Sequence, residues 1–304
     1  MKPSSNTADM TKGSPVRLIL TFSVPLIIGN IFQQFYNMVD SIVVGNFVGA
    51  NALGAVGACG SLNWLFFSLS SGLGIGIGVI VSQFYGAKRF DKVSETIANS
   101  FYVLISSALV VSILCYLIAP AVLRLLKTPD DIINDSITYM RTTCLGIVAI
   151  SLYNGVSSIL RALGDSKTPL YFLILSSICN VLLDLLFVIS FGWGVFGVAF
   201  ATILSQALSA VVSLFYAFKK ISYFHLTREQ LKPNASIIKN SYRLGVPIAL
   251  QSSMIAVSCV FLQSIVNSFG STVVSAYTIT NRIEQLINQP YNSLGTALTT
   301  YAGQ

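Results

Sequence analysis

The chain has 304 residues, of which 54% are hydrophobic and only 10% charged, with a mean hydropathy of +0.73. A soluble domain carries about 25% charged residues, so the composition excludes one and predicts an all-α polytopic membrane protein embedded in a lipid bilayer. The net charge of +7 does not indicate a nucleic-acid partner, because the basic residues are scattered through short connections and form no single patch.

The polar lead, with Lys2, Asp9 and Lys12, runs into an apolar stretch too long for the core of a cleavable signal. Leu18 to Val39 are 22 residues without a charge, enough to cross a hydrocarbon core of roughly 30 Å at about 1.5 Å per helical residue. Asp40 follows, and the next charge is Lys88. A carboxylate near a helix centre costs about 2.5 to 3.5 kcal/mol on insertion scales, so it must face protein or a wet cavity. Asn30, Gln33, Gln34, Asn37 and Asp40 recur at intervals of three and four and share one helix side. Gln33, Gln34 and Asn37 are thereby candidates to line a substrate cleft. Pro25 removes an intrahelical donor a turn and a half before that stripe, which predicts a bend.

Uncharged stretches continue along the chain and give eight predicted spans, at about 16 to 40, 52 to 84, 95 to 119, 136 to 160, 168 to 190, 195 to 218, 240 to 267 and 273 to 301. Counting loops by side, 14 of the 18 basic residues fall on the side of the N-terminus, among them Lys88, Arg89, Arg161, Lys167 and Lys219. That asymmetry places the N-terminus in the cytoplasm and the chain in the inner membrane. Glycines at 72, 74, 76 and 78 give overlapping GxxxG spacings, read as close helix packing. Asp130, Asp131 and Asp135 follow Pro129 and are expected to cap the fourth helix. The five cysteines lie in apolar surroundings without CxxC spacing and are expected to be small packing residues.

The segment 219–239, with the single histidine His225, reads as a linker between a six-helix bundle over 1–218 and the start of a second bundle over 240–304. Beyond it the opening repeats: LTFSVPLIIGN at 20–30 is echoed by YRLGVPIALQS at 242–252, so Pro25 and Pro247 are paired hinge candidates. Six intervening spans put both copies in the same orientation, related by an axis along the membrane normal. The second copy holds two spans, and the chain is expected to be a C-terminally truncated piece of a protein with about four helices more.

On the fifth span Asn180 and Asp184 share a face. Asp184 falls roughly 23 Å from Pro169, and Thr202 of the sixth span roughly 10 Å from the outer surface, close to the depth of Asp40. An oxygen-only set of this kind suits a hard cation such as Na⁺, or a proton. In the last span Glu284 is a candidate protonatable or substrate-contacting acid, and a structural ion pair is the competing reading. No HExxH, serine elbow or Walker sequence is present, so an enzyme is not supported.

VDSIVVGNFVGANALGAVG at 39–57, SQFYGAKRFDKV at 82–93, LRALGDSKTP at 160–169 and GWGVFGVAFAT at 192–202 resemble the signatures of the multidrug and toxic compound extrusion (MATE) transporters. The resemblance implies twelve helices in two bundles around a cleft, of which eight are present, and export of cationic or amphiphilic compounds against Na⁺ or H⁺ by a monomer without cofactor. Carried onto this sequence, the family's cation site falls on Asp40, Asn180, Asp184 and Thr202, with Asn154 of the fourth span in the same network. By span depth Asn154 lies nearer the cytoplasm than the others. A flippase of lipid-linked sugars is the alternative on the same architecture, and it would need a cleft lined by Arg and Lys. A non-transporting scaffold would need no buried acid.

Overall fold

The computed structural model describes residues 10, 13–126, 128–267, 269 and 271–304. Among them the regular structure is entirely helical: α1 (Pro15–Val43), α2 (Ala50–Gly86), α3 (Phe90–Leu125), α4 (Ile133–Leu145), α5 (Ile147–Ala162), α6 (Lys167–Leu185), α7 (Gly194–Lys220), α8 (Ala235–Asn267) and α9 (Ser271–Gly303). Two helices widen at their ends, α1 into a π turn over Val44–Val48 and α6 into another over Leu186–Ser190. Gly49, at φ 120°, allows the reversal between the first π turn and α2.

Five of the helical segments are long and apolar enough to cross a membrane, and a sixth span is made by α4 and α5 together. The other two predicted spans correspond to α8 and α9, each 33 residues long. The fourth predicted span is not one helix. It breaks at Gly146 with a 48° bend, and Gly146 packs against Ile203 of α7, where a Cβ would lie 2.7 Å from Ile203 Cγ1. Nor do the aspartates cap it. The N-cap residue is Ile132 without a side-chain bond, while Asp135 stands exposed in the first turn, where its charge favours the helix dipole.

The glycines of α2 do mark close packing, and on two faces. A Cβ on Gly72 would lie 2.5 Å from Ala249 Cα and one on Gly76 2.6 Å from Gly245 N, both on α8, while Gly74 and Gly78 face Gly155 and Ser158 of α5. Cys59, Cys115 and Cys144 are buried as expected, but Cys259 is exposed.

The connection from α7 to α8 is pinned at both ends of its course. Phe224 is fully buried in the cluster that holds Ile97, Leu104 and Ile159. Asn234 accepts from the amides of Ser236 (2.9 Å) and Ile237 (3.4 Å) and so caps α8, and it donates to Asn99 Oδ1 and Glu95 Oε1, both at 2.7 Å. The segment LRALGDSKTP is a turn whose acid caps α6: Asp165 accepts from the amides of Lys167 (3.1 Å) and Thr168 (2.9 Å) and from the Thr168 hydroxyl (2.5 Å). Burial pushes the Asp165 carboxyl above its ordinary value, and the Thr168 bonds pull it back. Arg161, placed in a loop by the charge pattern, is instead the last turn of α5.

Candidate functional site

The polar stripe on α1 ends beside α6 and α7. Asp184 and Asn180 are 0% and 1% exposed, and Asp40 is half-buried. With its amide nitrogen turned to the carboxylate, Asn180 donates to Asp184 Oδ2 (3.0 Å) and accepts from the Thr202 backbone N–H (3.3 Å). That orientation is fixed by the network around it. The Asp40 and Asp184 carboxyls are close enough to act on each other, and two carboxylates side by side in a buried place are held together only with a proton or a cation between them. Each keeps one buried oxygen, Oδ1, without a partner. Buried acceptors are almost always satisfied, and these two stand unfilled.

Two further side chains complete the cluster and were not foreseen. Tyr36, one turn before Asp40, and Tyr139 of α4, 7% exposed, both lie near the two acids. Tyr36 sits at the i−4 position from Asp40 inside the polar stripe, so its place could have been read. Tyr139 lies in a helix of mixed polarity and offered no signal. Among the described residues no three His, Cys, Asp or Glu side chains gather to hold a metal. The set present is two carboxylates with neutral oxygens around them, which fits Na⁺ or a proton and not a transition metal.

A separate polar cleft of about 390 Å³ opens alongside. Gln33, Gln34 and Asn37 line it, with Pro25, and Trp64 and Phe67 of α2 stand at its wall. Gln289, Asn292 and Thr296 contribute from α9. Asn154 belongs to this cleft. Its amide nitrogen is buried and unpartnered, and no described hydrogen bond ties it to the acids. Glu284 is exposed on α9 and is not among the residues that line the cleft. Pro247, inside α8, lines an apolar surface hollow with Leu250 and Met254. A larger hollow of about 730 Å³, between α3 and the α7–α8 connection, is apolar and holds none of the acids. The structure thus joins Asp40, Asn180, Asp184 and Thr202 in one cluster and Gln33, Gln34, Asn37 and Asn154 in one cleft, with α1 common to both.

A multi-pass helical membrane protein with a buried acid pair beside a polar cleft has the make-up of a transporter. Residues 25–186 match the MatE family, and the chain belongs to that family of multidrug extrusion transporters. It is 34% identical over 298 residues to the "Probable multidrug resistance protein YpnP" of Bacillus subtilis (strain 168), covering 97% of this chain and 66% of that protein. The chain therefore spans slightly less than two thirds of that relative's length. A solved "Outward-facing conformation of a multidrug resistance MATE family transporter of the MOP superfamily" superposes with a TM-score of 0.91 at 26% identity, over 99% of this chain and 67% of its own. A MOP superfamily transporter from Pyrococcus furiosus aligns with the same score, identity and coverage.

Proposed function

We propose that this chain belongs to a cation-coupled multidrug efflux antiporter, exporting cationic or amphiphilic compounds in exchange for Na⁺ or H⁺, and that it is not an enzyme. The observation that carries the reading is the Asp40–Asp184 pair with its two orphaned oxygens, a turn along the same helix from the cleft residue Asn37. A cation that enters the pair changes the charge beside α1, and α1 also forms one wall of the cleft. Coupling requires only that the ion bind the two conformations unequally, and the proline inside α1, Pro25, supplies a place for that helix to bend. The basic end of the bundle, with Lys88, Arg89, Lys219 and Lys220, would face the cytoplasm of the inner membrane. The working unit would be a monomer of two bundles, the first over 1–218 and the second beginning after the connection.

The test is gradient-driven efflux of a fluorescent organic cation from cells making the full-length protein with Asp40→Asn or Asp184→Asn. Each substitution is expected to lower efflux at least about tenfold, the equivalent of about 1.4 kcal/mol. Undiminished efflux in both would reject the acid pair as the coupling site. Replacing Na⁺ by K⁺ at fixed pH, and separately collapsing the proton gradient, identifies the ion. The flippase alternative is not favoured, since among the described lining residues of the cleft the one cation is Arg161.

A further inference from the structure

Among the described residues that one cation is in no ion pair. Arg161 closes α5 and lines both the cleft and an adjoining hollow of about 330 Å³ shared with Thr296, Thr299 and Thr300 of α9. Its hydrogen-bond partner is the Ser158 hydroxyl, at 3.1 Å. Among the described residues the ion pair formed is Lys92–Glu95, and the acid nearest in sequence, Asp165, is occupied by the amides of Lys167 and Thr168 and the Thr168 hydroxyl. A cation in the last turn of a helix is favoured by the helix dipole, which accounts for the side chain's place but not for its neighbours. Asn154 Nδ2 and Ser157 Oγ, both lining the cleft, are buried without a partner. Positions 154, 157 and 161 fall on one face of α5 at steps of three and four. The face therefore presents an unfilled amide donor, an unfilled hydroxyl and a guanidinium over about 10 Å of helix, with no acid among the described residues that line the cleft. Water could satisfy the first two but would leave the charge uncompensated.

We infer that the α5 side of the cleft is an oxyanion subsite: Arg161 and Ser157 receive a carboxylate, sulfonate or phosphate monoanion of the exported compound, and Asn154 an acceptor one turn further along. A guanidinium binds such groups through paired N–H donors. The inference rests on the cleft being the export route, and it extends the accepted compounds to anionic and zwitterionic amphiphiles. One end of the cleft then meets negative groups and the other, toward Asp40, positive ones.

The test uses three probes with one fluorophore, dansylglycine, its neutral carboxamide and dansylcholamine, titrated into the full chain in lipid nanodiscs. Trp64 lines the cleft, so energy transfer from it to the dansyl group reports binding once Trp193→Phe removes the other tryptophan. Dansylglycine is expected to bind at least tenfold tighter than the carboxamide. Arg161→Gln should erase that preference while leaving dansylcholamine within twofold, and Arg161→Lys should restore part of it. Equal affinity of carboxylate and carboxamide in the parent protein overturns the subsite and leaves the cleft standing, as does a preference that survives Arg161→Gln. If none of the three probes is bound, the cleft itself is not the binding route and both readings fall.

Discussion

Along α2 and α8 the contact is made by residues with almost no side chain, Ser68, Gly72 and Gly76 against Ser253, Ala249 and Gly245, in four-residue steps running opposite ways. Along α1 and α9 it is made by side chains proper: Asn30 donates to the Ser293 hydroxyl (3.0 Å), and Phe22 packs with Ala297, Leu26 and Tyr301. The first seam sets backbone on backbone and has no slack to give. The second can repack at the expense of one hydrogen bond, a net of about 1 kcal/mol. The adaptable seam is the one beside α1, the helix that bears both the cleft stripe and Asp40. The tight seam holds α2 to α8, and the looser one leaves α1 room to repack against α9.

The largest effect is expected from adding a single methyl group to the tight seam. Gly72→Ala puts a Cβ into the α8 backbone, and overpacking of this kind costs about 1 to 3 kcal/mol. Thermal unfolding followed by a thiol-reactive dye, for which the buried Cys59, Cys115 and Cys144 are natural reporters, should show a clear drop in midpoint. An unchanged midpoint would mean that α2 and α8 part freely. Asn30→Ala should cost about 1 kcal/mol in the same assay, because Ser293 retains its bond to Gln289 O at 2.8 Å. A loss as large as that of Gly72→Ala would erase the distinction between the seams. Gly57→Ala, on the same helix as Gly72 but with nothing within 4 Å of the added Cβ, should raise the midpoint by the equivalent of about 0.5 to 1 kcal/mol. The smallest effect, about 0.5 kcal/mol, is expected for Ser68→Ala, which gives up the 3.1 Å hydroxyl contact with Ser253. Cysteines placed at those two positions should cross-link on mild oxidation, and failure to do so would displace the register proposed for the seam.

Much of the acid cluster was legible because charge inside an apolar run is expensive and so carries information. Asp40 and Asp184 stood out for that reason, and Asn180 and Thr202 followed from their spacing and depth. Arg161 was misplaced by the same logic run in reverse: next to Gly164, Asp165 and Lys167 it looked like part of a charged connection, whereas the helix continues through it and only the turn after it is loop. The break at Gly146 was invisible because the neighbour packed against that glycine, Ile203, is 57 positions away in sequence. The glycines of α2 announced a close partner but not which one. Small residues fix a distance, and the partner's identity depends on the tertiary arrangement.

The two π turns leave a trace that the sequence carries twice, DSIVVGNF at 40–47 and DLLFVISF at 184–191. A π turn holds an extra residue, so the side chains beyond it are out of phase with the acid before it. Four positions after each acid stands a buried valine, Val44 at 0% and Val188 at 6% exposure, in one shared apolar cluster. Seven positions after, where a regular helix would return to the acid's own face, stand Phe47 and Phe191, turned outward at 57% and 53% exposure. The acids are therefore roofed by aliphatic carbon at the wide-turn end, and of the two only Asp40 is open at all. The pair has a sealed back and a front door, and the door hangs on the helix whose polar stripe lines the cleft.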